Sequence, residues 1–438
     1  MGQTIGHSTK YLSFCGIAAF LLPVCAAQTG NPTNTLSLEQ AESIALEHHP
    51  RLAAAKLRTG AASQQIREAR SSYFPTLVGN LTGTLVADSG TATSAGNLTT
   101  SSISNRFAAG GGLLQVVTDF GRTSALVHTA RFRAQAQSDL ADKTREELLA
   151  TVQHAYFRVL GSEAVLKATQ EALENRRLIV RQITALQQSE LKSTLDVSFA
   201  EVLESEAELA VYRSQNTVHE SRAELGAALG RERSVEEALV DVALPPGLEP
   251  DSDVLVRLAQ THRPDLLALQ ATRNAAHQFE RAEKDLRNPT ISLLAAAGEV
   301  PEHDHTLHDN YAAAGVNINV PIFNGGLFRA RHEEAALQAQ AEDKDVEDLR
   351  LEITREVRGA WFEANDAAYR IPVTARLVEQ ARRAQHLAQA RYDNGLGSIV
   401  ELNEAELNET AAQIEAASAK YDYLSKRADL DYATGVQP

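Results

Sequence analysis

From Pro75 to Asp119 apolar and small residues take every second place. Leu77, Gly79, Leu81, Gly83 and Leu85 alternate with Val78, Asn80, Thr82 and Thr84. That is the period of a strand with one apolar face. A polar Gly/Ser/Thr-rich stretch, 87–105, reads as a loop, and FAAGGGLLQVVT leads back as a second strand. The pattern returns in TISLLAAAG, the loop EVPEHDHTLHDN and AAAGVNINVPIF, where Ala312, Ala314, Val316, Ile318 and Val320 share a face. Two hairpins are therefore expected, over about 76–118 and 290–323, giving four strands per chain.

Outside the hairpins the spacing changes to three and four, as in Leu148, Val152, Ala155 and Val159, the seam of a helix that packs on another helix. No proline interrupts Arg122 to Lys192, so one helix there would run to roughly 100 Å at about 1.5 Å per residue. Shorter helices are expected at 196–229 and 399–434, and a second long one at 327–394, where Pro372 should bend or split it. The seams alone fit a soluble coiled coil equally well.

The chain also repeats itself. ALEHHPRLAA returns as LAQTHRPDLLAL; Pro50 and Pro264 stand 214 residues apart, as do Pro75 and Pro289. Further on the offset becomes 205: Asp119-Phe120-Gly121 corresponds to Asn324-Gly325-Gly326, Tyr156 to Trp361 and Gly230 to Gly435. The first half thus carries extra residues only between Pro75 and Asp119, which suits a surface loop. The expected organisation is a first repeat over 28–230, a linker over 231–252 containing LPPGLEP, and a second repeat over 253–438.

Composition narrows the function. Aromatic residues make up only 5% of the chain, and alanine is abundant, which favours long helices over a sheet-built core. Lys and Arg total 42 against 57 Asp and Glu, a balance that argues against nucleic acid and favours cations. Residues 1–27 read as a secretory signal cut after Ala27. A rival reading makes Cys25, after LPVC, a lipid-modified N-terminus, although Val24 is a poor residue before such a cut. Cys15 and Cys25 are the only cysteines, so the mature chain would hold no disulfide. No later stretch approaches the roughly 20 apolar residues of a spanning helix; if the chain enters a membrane, it does so as strands. No phosphate loop, nucleophile elbow or paired zinc motif is present, so neither an enzyme nor a cofactor is expected.

Four strands alone in lipid would leave unpaired edges, which must be closed by strands from other copies. Two chains give eight strands with little lumen, and three give twelve, so a homotrimer is the natural expectation for a pore.

The doubled proline-led segment, the DFG and NGG corners between strand and long helix, and YDNGLGSIVELNEAE near the end resemble the TolC family of outer-membrane efflux proteins over essentially the whole mature chain. The resemblance implies a mainly α fold with a small β part. It further implies a trimeric α-helical barrel reaching through the periplasm, joined to a twelve-stranded β-barrel in outer-membrane lipid. The duct would serve a periplasmic adaptor and an inner-membrane transporter, in an efflux pump or a type I secretion system. The other class of function compatible with the residues is a periplasmic coiled-coil adaptor or structural protein without a pore.

The same resemblance nominates site residues. Glu401 and Glu404 fall where the family places inward-facing carboxylates at a periplasmic constriction, and mutual repulsion there should raise carboxyl pKa values. Tyr392 and Asp196 match positions that hold the entrance closed, the phenol donating to the carboxylate. The chain departs from the pattern at Gly397, where the best-known member has an arginine, so one contact of that latch is missing. Leu191, Gly395 and Leu396 lie on turns that meet the adaptor. His303, His305 and His308, with Glu302, Asp304 and Asp309, are weak candidates for a metal; a polar external loop needs no ligand.

Overall fold

The structure, a computed structural model, describes residues 35–85, 90–93, 100–103, 105–302 and 308–436. The expected signal, residues 1–27 with Cys15 and Cys25, lies outside them.

In chain order the first half holds β1 (Thr35–Leu36), α1 (Leu38–His48), α2 (Pro50–Ser71), β2 (Thr76–Thr84), β3 (Gly90–Thr93), β4 (Thr100–Ile103), β5 (Arg106–Thr118), α3 (Arg122–Gln188) and α4 (Thr194–Ala228). After β6 (Ala238–Leu239), the second half holds α5 (Ser252–His262), α6 (Pro264–Lys284), β7 (Thr290–Glu302), β8 (Asn310–Asn319), α7 (Leu327–Asp393) and α8 (Ile399–Thr434). The two prolines that open the repeat each occupy the first turn of a helix, α2 and α6, where the missing N–H costs nothing. They break one helix and start the next.

Helices α3 and α7 are 67 residues long, roughly 100 Å each. Pro372 does not split α7, which continues to Asp393. The lost backbone bond is outweighed by packing along both flanks of the proline, with Ala364, Ala367 and Thr374 buried on one side of the helix. The segment expected as loop, 87–105, contains a small antiparallel hairpin, β3 with β4. The Thr-rich runs there have the β propensity to pair.

One sheet runs in the order β2-β5-β7-β8, antiparallel throughout. Its register puts Leu77, Leu81, Leu113, Leu293, Val316 and Ile318 on one face, with Leu81 at 78% and Val316 at 65% exposure. The other face carries Asn80, Thr82, Ser292 and Asn317. There the row Asn80, Gly110, Gly298, Tyr311 crosses all four strands. A Cβ at Gly298 would sit 2.7 Å from Tyr311 Cζ and 2.5 Å from the Ala109 carbonyl oxygen, so the phenol can lie across the sheet only over glycine.

The helices lie side by side. Toward the turns after α3 and α7 the order is α4-α3-α8-α7; near the sheet it is α2-α3-α6-α7. Midway, α1, β1 and the linker cover α3, α4 and α8 around the buried Tyr156, Val152, Val159, Leu225 and Leu229. Tyr156 donates to the carbonyls of both Leu36 (2.8 Å) and Val240 (2.7 Å), pinning β1 and the linker together. Its counterpart Trp361 donates to the Glu249 carbonyl at 2.8 Å. No described helix is long and apolar enough to cross a membrane.

Candidate functional site

The two turns that follow α3 and α7 have the same backbone. Leu191 N–H donates to the Leu186 carbonyl (3.0 Å) and Glu190 N–H to that of Gln187 (2.9 Å); 205 residues on, Leu396 donates to Arg391 (2.8 Å) and Gly395 to Tyr392 (3.1 Å). These bonds satisfy the last carbonyls of each helix and need one left-handed residue. It is Gly395 (φ 70°) in the second turn but Glu190 (φ 58°) in the first. Ser193 and Ser398 then cap α4 and α8. Leu191 and Leu396 protrude, at 69% and 72% exposure, so the structure places both candidate docking leucines and Gly395 at one end of the molecule.

Tyr392 is buried beneath the turns among Ile183, Ala200, Ala388, Ile399 and Leu402. Burial pushes its phenol up to about 12, helped by the charges of Asp196 and Asp393. The hydrogen bond expected from Tyr392 to Asp196 is not formed. The Tyr392 hydroxyl is buried without a hydrogen-bond partner. The Asp196 carboxylate instead accepts from Ser193 N–H (3.0 Å) and Ser193 Oγ (2.9 Å), in a capping box that satisfies the start of α4. Local capping wins because it needs no distant chain segment to be ordered.

Sequence reasoning missed the group that does engage Tyr392. Lys192 Nζ stands 3.5 Å from the centre of the phenol ring and donates to the Tyr392 carbonyl at 3.1 Å. A cation over an aromatic face and against the last turn of a helix is favourable on both counts. Lys192 is the counterpart of Gly397 across the repeat. A lone lysine in a turn carries no signal of its own, and only the 205-residue offset could have found it.

Glu401 and Glu404 both lie exposed on the first turns of α8. Glu401 accepts from Arg391 Nε at 3.1 Å, and Arg391 also donates to the Leu396 carbonyl at 3.1 Å, so of the two carboxylates Glu404 is the one without an ion pair among the described residues. Deeper in, Arg176 of α3 and Glu406 of α8 form an ion pair with side chains 7% and 6% exposed. Beside it, a cavity of about 380 Å³ is lined by Asn175, Gln182, Gln385, Gln389 and Gln413. His303 and His305 lie outside the described residues, and His308 is exposed. Among the described residues no group of three or more His, Cys, Asp or Glu is placed to hold a metal.

Comparison with known proteins agrees with this architecture. The chain is 26% identical to the alkaline protease secretion protein AprF of Pseudomonas aeruginosa, over 72% of this chain and 65% of that protein. It is 25% identical to the outer membrane protein TolC of Escherichia coli, over 91% of this chain and 83% of that protein. Among solved structures, CusC superposes with a TM-score of 0.79 at 20% identity, covering 91% of this chain and 92% of CusC. The outer membrane protein VceC of Vibrio cholerae superposes with 0.78 at 21%, covering 91% and 96%. The family described as "Outer membrane efflux protein" matches residues 42–231 and 255–436, and with both repeats spanned the chain belongs to that family.

Proposed function

We propose that this chain is one third of a trimeric exit duct, which conducts solutes passively through a twelve-stranded barrel and a periplasmic helical tunnel. Family membership already makes it an outer-membrane efflux channel. One observation carries the rest. The sheet ends in β2 on one side and β8 on the other, and nothing in the chain covers its exposed apolar face. In lipid such edges must pair. Because the strands alternate in direction, β8 of one copy meets β2 of the next antiparallel, and the helical layers offer matching edges, α4 or α2 against α7. A head-to-tail contact of this kind closes into a ring. The apolar strands fit the length of about 9–11 residues that a membrane strand needs.

In this reading the first repeat (28–230), the linker (231–252) and the second repeat (253–438) supply equivalent staves, and the signal directs the chain outward. The turns bearing Leu191, Gly395 and Leu396 dock a periplasmic adaptor, which couples the duct to an inner-membrane transporter. Glu404, with Glu401 partly neutralised by Arg391, gives the entrance its preference for cations. AprF is named for protease secretion and CusC for a transmembrane channel; the pump it meets would choose the cargo of this chain.

Single-channel conductance of the purified protein in planar bilayers tests the reading. Small, cation-selective conductance is expected, with selectivity reduced in the Glu401→Ala, Glu404→Ala double variant and most of the loss reproduced by Glu404→Ala alone. Extraction from membranes by carbonate would instead favour the soluble coiled-coil alternative.

A further inference from the structure

The contacts that join the two halves are one-sided. In the row α4-α3-α8-α7, the seam inside each chain is α3 against α8. Three polar anchors from the first half fasten this seam and the turn beside it. His154 bridges Ser425 and Asp429, the latter at 2.7 Å. Arg176 forms the buried pair with Glu406. Lys192 covers Tyr392 and holds its carbonyl. Between them Gly161 admits Tyr421, whose Cβ lies 3.3 Å from where a Cβ on Gly161 would stand.

The repeat makes the other seam predictable. Adding 205 turns α3 into α7, and subtracting it turns α8 into α4, so the counterpart of α3–α8 is the contact between α7 of one copy and α4 of the next. On that seam His154 becomes Gly359, Arg176 becomes Ala381 and Lys192 becomes Gly397. All three anchoring side chains are gone, while carboxylates remain opposite: Glu406 becomes Glu201 and Asp429 becomes Glu224. Glu201 is exposed on the free edge of α4 without an ion pair among the described residues.

We infer that the entrance opens along the seams between copies, while the four helices of each chain move as one body. The inference rests on the ring proposed above. Its physical basis is the cost of separation. Parting α3 from α8 would leave a desolvated carboxylate and guanidinium without each other, and breaking a buried pair is strongly unfavourable. Parting α7 from the neighbouring α4 strands no such pair.

Cysteine pairs at equivalent levels distinguish the seams, on a mature chain that lacks other cysteines. Arg176→Cys with Glu406→Cys joins α3 to α8 within a chain; Ala381→Cys with Glu201→Cys joins α7 to α4 between copies. The readouts are the ladder of linked chains on a non-reducing gel and the frequency of opening events in planar bilayers under voltage steps, before and after reduction. The link between copies is expected to lower opening frequency at least about tenfold, reversibly, and the internal link to change it by less than about twofold. Suppression by the internal link overturns the inference, as does a complete ladder between copies with unchanged opening. Absence of any ladder overturns the ring itself and the inference with it. Ala381→Arg, which gives the outer seam the missing cation opposite Glu201, provides a check without cysteines: fewer openings are expected, and unchanged or more frequent openings count against the inference.

Discussion

In the first half the left-handed backbone positions are Phe120, Gly121, Glu190 and Gly230; 205 residues later they are Gly325, Gly326, Gly395 and Gly435. The corner from strand to long helix and the turn at the far end thus keep one geometry in both halves, whatever residue occupies it. The second half meets that geometry with glycine throughout, and the first carries a phenylalanine and a glutamate through it, at a cost of roughly 1–2 kcal/mol each. Backbone form is what the duplication preserved, and side chains are where the halves parted. Tyr156 against Trp361 shows the same division: one aromatic is fully buried with two carbonyl partners, the other is partly exposed with one.

The most severe test of that comparison is truncation of the aromatic pair. Tyr156→Ala should lower stability by about 3–5 kcal/mol, the range for large aromatic side chains removed from a core, and Trp361→Ala by less than half of that. Urea titration of the helical circular dichroism signal measures both, and equal losses would break the asymmetry.

Exchanging the left-handed residues should have a smaller effect of opposite sign in each half. Glu190→Gly is expected to stabilise by about 1 kcal/mol and Gly395→Glu to destabilise by about 1–2 kcal/mol, read as shifts of the same titration midpoint. If Glu190→Gly destabilises, the glutamate makes a contact that outweighs its strain.

Smallest is a pH effect confined to the first half. Burial raises Glu146 to about 7, against the pull of Arg145 and with Asp265 and Asp142 adding to the rise. Its counterpart is Leu351. The folded state holds the Glu146 proton more tightly than the unfolded chain, whose value is near 4.5. Stability from this group is therefore full below about 4.5 and lost as pH rises through about 7. Glu146→Gln should flatten that part of the stability profile, leaving the variant more stable than wild type at pH 8. A profile unchanged by the substitution would show that the carboxyl is better solvated than its surroundings suggest.

Much of the fold was legible because it is periodic. The alternation around Leu77 and Val316, the long helical seams and the paired prolines located the main sheet and the four helices of the tunnel. The small β3–β4 hairpin was not, since Gly, Ser and Thr in a polar run suit loop and strand alike. At the site, the protruding leucines and Gly395 could be read from the turn. The Tyr392–Asp196 pairing misled because Ser193-x-x-Asp196 is itself a capping box, and a local bond forms before a distant one. Arg176 and Glu406 are separated by two hundred residues of chain, and no spacing rule links them.

The waist where Tyr156 holds Leu36 and Val240 falls near the middle of α3, 67 residues long. A helix gripped there is a lever with a fulcrum: its lower arm, Tyr156 to Gln188, extends about 48 Å. Tilting that arm by about 5° carries its end about 4 Å sideways, enough to change an aperture by more than the width of a water molecule, while the strands above the fulcrum keep their register. Leverage of this kind lets a docking partner with little binding energy work a gate far from the membrane without disturbing the seal within it.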